Sequence, residues 1–276
     1  MITTTTNSPE AWRPNVVVNL DPSNYLDDAL IMQTGTYVGS VEGDAPQVLI
    51  PYVPDDPEAT IVVEGEEIPL ADVPTDQVAL STHKIAVVTR VSREMTTQPG
   101  AADRIAASLS RSVIRKADNV FLANAADPTG LLNVGDVQTV GDLGADVFDA
   151  YDAVAAIEAD GGTATHLLVN PLDWGALARI PEATGSNRSV LADVHDAATR
   201  TLAGVPVIVH SAVPQGTALM LDRNEVLAAY GTLDLARSDD AFFTQDAVAI
   251  RATWRIGFGI VRPSRLVRLT VTEPGA

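Results

Sequence analysis

Residues 101–124 read AADRIAASLSRSVIRKADNVFLAN, and this stretch predicts one long helix. Its apolar side chains recur at steps of three and four residues, which is typical of a helix with one buried face. They are Ile105, Leu109, Val113, Ala117, Val120 and Phe121. Pro99 and Gly100 precede the stretch, and proline suits the start of a helix because its missing N–H is not needed there. At roughly 1.5 Å per residue the helix spans more than ~30 Å, so we expect it to be the central element of the fold.

Before this helix the chain has the pattern of a long β-hairpin. Segments rich in β-branched and apolar residues alternate with turns rich in Pro, Gly and acidic residues. The predicted strands are 48–53, 60–63, 77–80 and 85–91. A two-stranded ribbon is marginal in water by itself, so this hairpin needs another surface to lie on. Residues 1–19 indicate an extended arm, which a short helix through Tyr25, Leu26, Ala29 and Leu30 follows.

After the helix, residues 127–144 indicate an irregular segment and a compact α/β block follows. Its predicted elements are a helix at 147–159, a strand at 165–169, a short helix from Asn170, and strands at 205–210 and 218–221. Residues 181–200 indicate a long loop, and 225–230 fit either a short helix or a strand. From 242 to 262 apolar residues alternate with polar or small ones, which predicts a long half-buried strand. A shorter strand at 266–271 completes an α+β chain.

Composition excludes several classes of site. The chain has no cysteine, so disulfides, zinc–thiolate sites and thiol nucleophiles are excluded. No apolar run reaches the ~18 residues of a membrane span. The net charge of -18 and the pI near 4.4 argue against wrapping nucleic acid directly, although they allow the chain to enclose it. There is no G-x-S-x-G motif and no phosphate-binding loop, and we expect neither a cofactor nor catalysis.

Charge is divided unevenly along the sequence. Residues 14–83 contain thirteen carboxylates and no Lys or Arg. The positive charge follows in two blocks, one from Lys84 to Lys116 and one from Arg251 to Arg268. Complementary potentials steer association and fix register, so the acidic segment of one copy is expected to meet a basic face of another. The pattern predicts self-assembly.

The order of parts resembles the major capsid proteins of tailed bacteriophages, which have the Hong Kong 97-like fold. The resemblance covers nearly the whole sequence and is carried by a series of segments. These are STHKIAVVTRVSREM (81–95), the helix at 101–124, GLLN (130–133), ATHLLVNPLDWGALARI (164–180), LAGVPVIVHSAVPQGTALMLDRNEVLAAYG (202–231) and FFTQDAVAIRATWRIGFGIVRPSRLVRLTV (242–271). No single segment is a strict motif, but their combination in this order is specific.

The resemblance implies a division of the chain into named parts. They are an N-terminal arm (1–35), a peripheral domain (36–53 and 84–144) with a spine helix (100–124), an extended β-hairpin loop (54–83), an axial α/β domain (145–231), and return strands of the peripheral domain (232–276). It also implies a shell protein whose copies form pentamers and hexamers around double-stranded DNA without binding it specifically. The protein would belong to the virion and assemble in the host cytoplasm. A separate scaffolding protein, a portal and a cement or decoration protein are possible partners.

The extended loop is expected to lie on a neighbouring copy and to pair with its arginines. The candidate contact residues are Asp55, Asp56, Glu58, Glu64, Glu66, Glu67, Asp72, Asp76, Arg90, Arg93, Arg104, Arg111, Arg115, Arg251 and Arg255. Some relatives join subunits by an isopeptide bond from a lysine of this loop. Here the loop has no lysine, and Lys84 stands at its base, so we predict a non-covalent shell.

Other functions remain open on sequence alone. One is an encapsulin-like nanocompartment shell, which shares the fold but encloses an enzyme. Another is a small α/β hydrolase built on the central block. Asp193, His195 and Asp196 could bind a metal, as could Glu64, Glu66 and Glu67. A polar loop and a solvated turn explain these two groups better, because neither group has the spacing of a known site.

Overall fold

The computed structural model describes residues 29–40, 47–54, 57, 59–98, 100–180, 191 and 200–272. In this part the chain forms five α-helices and two six-stranded sheets. The helices are α1 (Leu30–Thr34), α2 (Arg93–Thr96), α3 (Ala101–Ala123), α4 (Asp149–Ala159) and α5 (Pro171–Leu177). The strands are β1 (Thr36–Gly39), β2 (Gln47–Tyr52), β3 (Asp76–Ser92), β4 (Gln138–Asp142), β5 (His166–Val169), β6 (Thr201–Leu202), β7 (Val205–Val209), β8 (Thr217–Leu221), β9 (Val226–Tyr230), β10 (Asp234–Phe242), β11 (Ala247–Ile260) and β12 (Leu266–Thr270).

The first sheet has the order β1-β9-β11-β3-β2, with β10 on β11. Its two longest strands, β3 and β11, are antiparallel from the pair Ala247 and Ser92 to the pair Gly257 and Thr82. The helix α3 covers one face, and the alternate side chains of both strands point into the core between them. Phe121 of α3 is fully buried, and its ring meets that of Phe258 edge to face at 5.1 Å. The predicted central helix is therefore confirmed.

The opposite face of the first sheet has a smaller apolar cluster near β2. Leu80, Leu227 and Ala229 are buried there. Gly259 lies beneath Leu80, and a Cβ at this position would overlap the Leu80 side chain. The absence of a side chain at Gly259 therefore leaves room for the Leu80 side chain on this face of the sheet.

The second sheet has the order β4-β12-β8-β5-β7-β6. The helices α4 and α5 contribute Ala153, Ile157 and Leu177 to a core on one of its faces. Gly161 ends the α4 segment at a positive φ of 73°, and the Asn170 side chain caps α5 by accepting the Leu172 N–H. The predicted helices and strands of the α/β block are confirmed to within a few residues.

Four predictions of elements differ from the structure. Residues 60–63 form no strand, because they have no neighbouring strand among the described residues. The predicted strands 77–80 and 85–91 are one strand, β3. The segment 127–144 contains β4, and 234–242 form the unpredicted strand β10. The strand β11 alternates as expected: the side chains from Val248 to Phe258 at every second position are buried, whereas Arg251 is exposed and Arg255 is half-buried on the other face.

The two sheets do not coincide with the predicted division of the chain into peripheral and axial ranges. β4 and β12, from the ranges assigned to the peripheral domain, belong to the second sheet, whereas β9, from the range assigned to the axial domain, belongs to the first. Distant segments can pair because hydrogen bonding between strands depends on spatial proximity. The extended arm at 1–19, the predicted start of the first short helix and most of the loop at 181–200 lie outside the described residues; α1 begins at Leu30.

Candidate functional site

The described residues of the segment that joins β2 to β3 are largely exposed. Because β3 begins at Asp76, we use the name extended loop from here on for residues 53–75, a shorter range than the predicted 54–83. Its described residues from 59 to 75 are exposed, apart from the half-buried Val62. Five large apolar side chains are among them: Ile61, Val63, Ile68, Leu70 and Val73. Ile61 and Leu70 have 102% and 103% relative accessibility, as in an unfolded chain. No hydrogen bond joins residues 59–75 to the rest of the described chain, and the turn at 63–66 has one internal bond, from Glu66 N–H to Val63 O.

The described carboxylates of the extended loop are exposed as well. Glu64, Glu66, Glu67 and Asp72 form no ion pair with any described residue. Asp76 is at the root of the loop, where it accepts the Gln77 N–H at 2.7 Å. Asp55, Asp56 and Glu58, also predicted contact residues, lie outside the described part. The loop thus presents apolar and acidic groups together.

Arg262 holds the start of the extended loop. Its guanidinium donates to the carbonyl oxygens of Val53 at 2.9 Å and Pro54 at 3.0 Å. It also pairs with the buried Glu225 carboxylate at 3.2 Å, which Arg265 shares at 2.5 Å. Arg265 in turn donates to the Asp160 carbonyl at the end of α4. The cluster links the loop root to both sheets, so Arg262 and Arg265 have an internal role that their sequence positions did not reveal.

Arg268, also in the second block, is on β12 and donates to the Leu132 carbonyl. The two remaining arginines of this block, Arg251 and Arg255, lie on the side of the first sheet away from α3. We call this surface the basic sheet face. It consists of Lys84, Ala86, Val88 and Arg90 on β3 and their partners Arg255, Thr253, Arg251 and Ala249 on β11. Lys84, Ala86 and Val88 are exposed, Val88 by 61%. The structure therefore brings together Arg90, Arg251 and Arg255 of the predicted contact residues.

Several groups hold these side chains in place. Arg251 lies 3.4 Å from the Asp234 carboxylate on β10, and Arg255 donates to the Thr82 hydroxyl at 3.2 Å. Arg90 contacts Gln245 and lies 5.4 Å above the centre of the Phe242 ring. Such contacts order the cations but leave the apolar strip between them open.

The remaining predicted arginines lie elsewhere. Arg104, Arg111 and Arg115 are on α3, on the side away from the sheet, and Arg93 on α2 pairs with Asp246 at 2.9 Å. The exposed positions of α3 between 108 and 119 form what we call the polar helix face. They are Ser108, Arg111, Ser112, Arg115, Lys116 and Asn119. This face is cationic and has no exposed apolar side chain.

A buried carboxylate joins α3 to two other parts of the chain. Asp118 accepts the Leu30 N–H at 2.9 Å, and its second oxygen lies 3.5 Å from His210 Nε2. The other nitrogen of the histidine ring accepts the Ala212 N–H, so Nε2 carries the proton that points at the carboxylate. Burial raises the pKa of Asp118 to about 6, although the Leu30 hydrogen bond opposes this shift. Asp118 was not singled out from the sequence, because a single aspartate in an amphipathic helix resembles a surface residue.

The described residues do not assemble a metal site. No three His, Asp or Glu side chains in this part of the chain lie close enough to hold a metal ion, and Glu64, Glu66 and Glu67 stand apart in solvent. His83 Nε2 lies 3.7 Å from the Asp127 carboxylate. The pKa of His166 is lowered, mainly by burial and to a smaller extent by the positive charge of Arg223. Asp193, His195 and Asp196 lie outside the described residues. No helix within the described ranges is both long and apolar enough to cross a membrane.

Comparison with known proteins identifies relatives of the whole chain. Residues 25–271 match the profile of the Phage capsid family. Among solved structures, the capsid of an empty GTA particle, computed with C5 symmetry, shares 17% identity over 98% of each chain, with a TM-score of 0.72. A chain from Microbacterium phage Oxtober96 has the same fold, with 15% identity over 98% of this chain and 99% of that one and a TM-score of 0.72. A chain from Gordonia phage Cozz also has this fold, with 19% identity over 88% of this chain and 86% of that one and a TM-score of 0.69. No curated protein sequence matches the chain.

Proposed function

The chain belongs to the phage capsid family, and from this premise we propose that it is the major capsid protein of a phage head. Copies of the chain assemble into pentamers and hexamers that close an icosahedral shell around double-stranded DNA. The first sheet with α3 acts as the peripheral domain and the second sheet as the axial domain. The protein has no catalytic role, resides in the virion and assembles in the host cytoplasm.

One observation carries this proposal: residues 59–75 of the extended loop have almost no support from the described part of their own molecule. Five large apolar side chains in one segment are fully or mostly exposed, and monomeric proteins rarely expose apolar groups in such concentration. Contact with another copy at a different surface is heterologous, and contacts of that type close into rings when the rotation permits. A shell built of rings therefore supplies the contact that the loop lacks.

The charge of the chain is consistent with a container for DNA. Specific or wrapping contact with DNA needs many Lys and Arg side chains on phosphates. A net charge of -18 disfavours such contact and keeps an enclosed polyanion mobile.

Purification of the full chain followed by size-exclusion chromatography and electron microscopy tests the proposal. We expect closed shells of uniform diameter that disassemble into rings or single subunits. Nucleic acid extracted from particles of infected cells should be double-stranded DNA, whereas an enclosed protein would indicate a nanocompartment. A chain that stays a monomer at all concentrations, both alone and with a co-expressed scaffolding protein, would contradict the proposal.

A further inference from the structure

We propose that the polar helix face of α3 lines the interior of the shell and contacts the phosphates of the enclosed DNA. This inference rests on the proposed function and deepens it, because it assigns one surface of the subunit to the nucleic acid. The contact is local and independent of base sequence. It therefore differs from the wrapping that the net charge of the chain disfavours.

The middle of α3 is cationic within an acidic chain. Residues 104–117 contain four Lys or Arg side chains and no carboxylate, whereas the whole chain has a net charge of -18. The nearest carboxylates on the helix are Asp103, in its first turn, and Asp118, which is buried against Leu30 and His210. A polyanion is the kind of ligand that such a local positive field attracts.

The exposed side chains of this face are of the types that contact phosphate. In protein–DNA complexes the phosphates accept hydrogen bonds from Arg, Lys, Ser and Asn side chains, among others. The exposed positions from 108 to 119 contain only these four residue types. The side chains of Arg115 and Lys116 form no ion pair or hydrogen bond with another described residue, so contact with a phosphate breaks no described interaction.

A protein partner fits the polar helix face less well. Protein–protein interfaces have a buried core that is more apolar than the rest of the surface. The polar helix face has no exposed apolar side chain, whereas the basic sheet face has Val88 exposed by 61% among its cations. The two surfaces lie on opposite sides of the layer formed by the first sheet and α3. One of them can therefore contact protein while the other faces the DNA.

The charge density of DNA makes this contact independent of register. Duplex DNA has one negative charge per about 1.7 Å of its axis. The helix from Arg104 to Lys116 is about 18 Å long, so it lies beside about ten phosphate charges wherever the DNA is placed along it. Each exposed charge pair is weak and is screened by salt. Such a surface holds the outer DNA against the shell and still allows the DNA to slide during filling and release.

The two lysines of the chain provide a test, because each lies on one of the cationic surfaces. Lys84 is on the basic sheet face and Lys116 is on the polar helix face. DNA-filled particles are treated with formaldehyde, which joins a lysine amine to a nearby base amine through a methylene bridge. The DNA is then digested, and the nucleotide adducts at both lysines are quantified by mass spectrometry. We expect at least tenfold more adduct at Lys116 than at Lys84, with emptied particles as the background.

Charge-conserving exchanges extend the measurement to neighbouring positions. Lys116→Arg should abolish the adduct at this position, and Arg115→Lys should add a second adduct on the same helix. Arg251→Lys, the matched exchange on the basic sheet face, should add none. Each exchange preserves the charge of its surface, so the yield of particles should stay near that of the unmodified chain.

The outcomes separate this inference from the proposed function. Particles that contain double-stranded DNA but give no adduct above background at Lys116, or at least as much adduct at Lys84, would overturn the inference and leave shell formation intact. Cross-links from Lys116 to a protein would also overturn it and would indicate a scaffolding partner at this face. Absence of particles, or particles that enclose a protein in place of DNA, would instead count against the proposed function.

Discussion

At the scale of single residues, two buried carboxylates connect parts of the chain that are far apart in sequence. Glu225 is 4% exposed and holds Arg262 and Arg265, which reach the loop root and α4. Asp118 is 2% exposed and joins α3 to the Leu30 backbone and to His210. The sequence did not predict either role, because composition and spacing do not reveal which acidic residues are buried.

Replacement of Glu225 by Gln should destabilise the subunit. The amide has one acceptor oxygen and no charge for two guanidinium groups, and hydrogen bonds to charged groups contribute about 1.5–3 kcal/mol. We expect a loss of roughly 1–3 kcal/mol in the free energy of unfolding, measured by urea denaturation, because both arginines keep partial access to water. Glu158→Gln on the exposed side of α4 is the control. Equal stability of Glu225→Gln and the unmodified chain would contradict this role.

Replacement of Asp118 by Asn should change how stability depends on pH. The pKa of the buried carboxyl is raised from 3.8 to about 6, so the folded state keeps its proton where the unfolded state has lost it. The contribution of Asp118 is therefore most favourable below about pH 4 and is lost as pH rises to about 6. The full pKa shift corresponds to roughly 3 kcal/mol in the free energy of unfolding.

Urea denaturation from pH 4 to pH 7 measures this effect. Relative to the unmodified chain, Asp118→Asn should gain up to about 3 kcal/mol in the free energy of unfolding over that interval. Asp103→Asn, exposed on the same helix, controls for the removal of one carboxylate. A difference between Asp118→Asn and the unmodified chain that is constant with pH would contradict the prediction.

At the scale of elements, sequence predicted best where one face of a helix or strand is buried. The helix at 101–123 and the alternation in β11 are strong periodic signals, because burial on one side repeats along the element. Prediction failed at 60–63, where β-branched residues suggested a strand, because strand formation needs a neighbour and the described chain offers none. It also missed β10, whose polar residues pair on an exposed edge. The acidic character of the loop and the blocks of arginines are evident in the sequence, but the exposure of five large apolar side chains in the loop was not predicted. The grouping of Arg90, Arg251 and Arg255 depends on strand register, which spacing along the chain does not give.

Shortening the extended loop should separate folding from assembly. A variant in which a short Gly-Ser linker replaces residues 57–73 keeps Pro54 and β3, and therefore keeps the Arg262 contacts. We expect an unfolding midpoint like that of the full chain and no closed shells by electron microscopy. A second variant with Ile68→Ser and Leu70→Ser, at full loop length, should also lose shells if apolar contact supplies the affinity. Shells from the shortened variant would show that the loop is dispensable.

At the scale of the whole molecule, the described residues form two main cores and an exposed loop, and a charged cluster connects the root of the loop to both sheets. The cores fold the subunit, and the loop has no role in either of them. The family is shown by the match over residues 25–271, whereas relatives below 20% identity show that very different sequences reach the same fold.

The assembled shell should contain no covalent links between subunits. The extended loop has no lysine, and Lys84 is fixed within β3 opposite Arg255, so no loop amine is present to form an isopeptide bond. Particles boiled in detergent with reductant should run as a single band at 29.0 kDa. A ladder of higher masses under these conditions would contradict a non-covalent shell.

The structure of assembled particles, determined by cryo-electron microscopy, is the most direct test of the account. It shows which molecule each extended loop contacts. We predict that residues 59–75 of every copy lie on the adjacent copy, with Ile68 and Leu70 buried in that contact. A loop that projects into solvent in the closed shell, or folds back on its own sheet, would contradict the account.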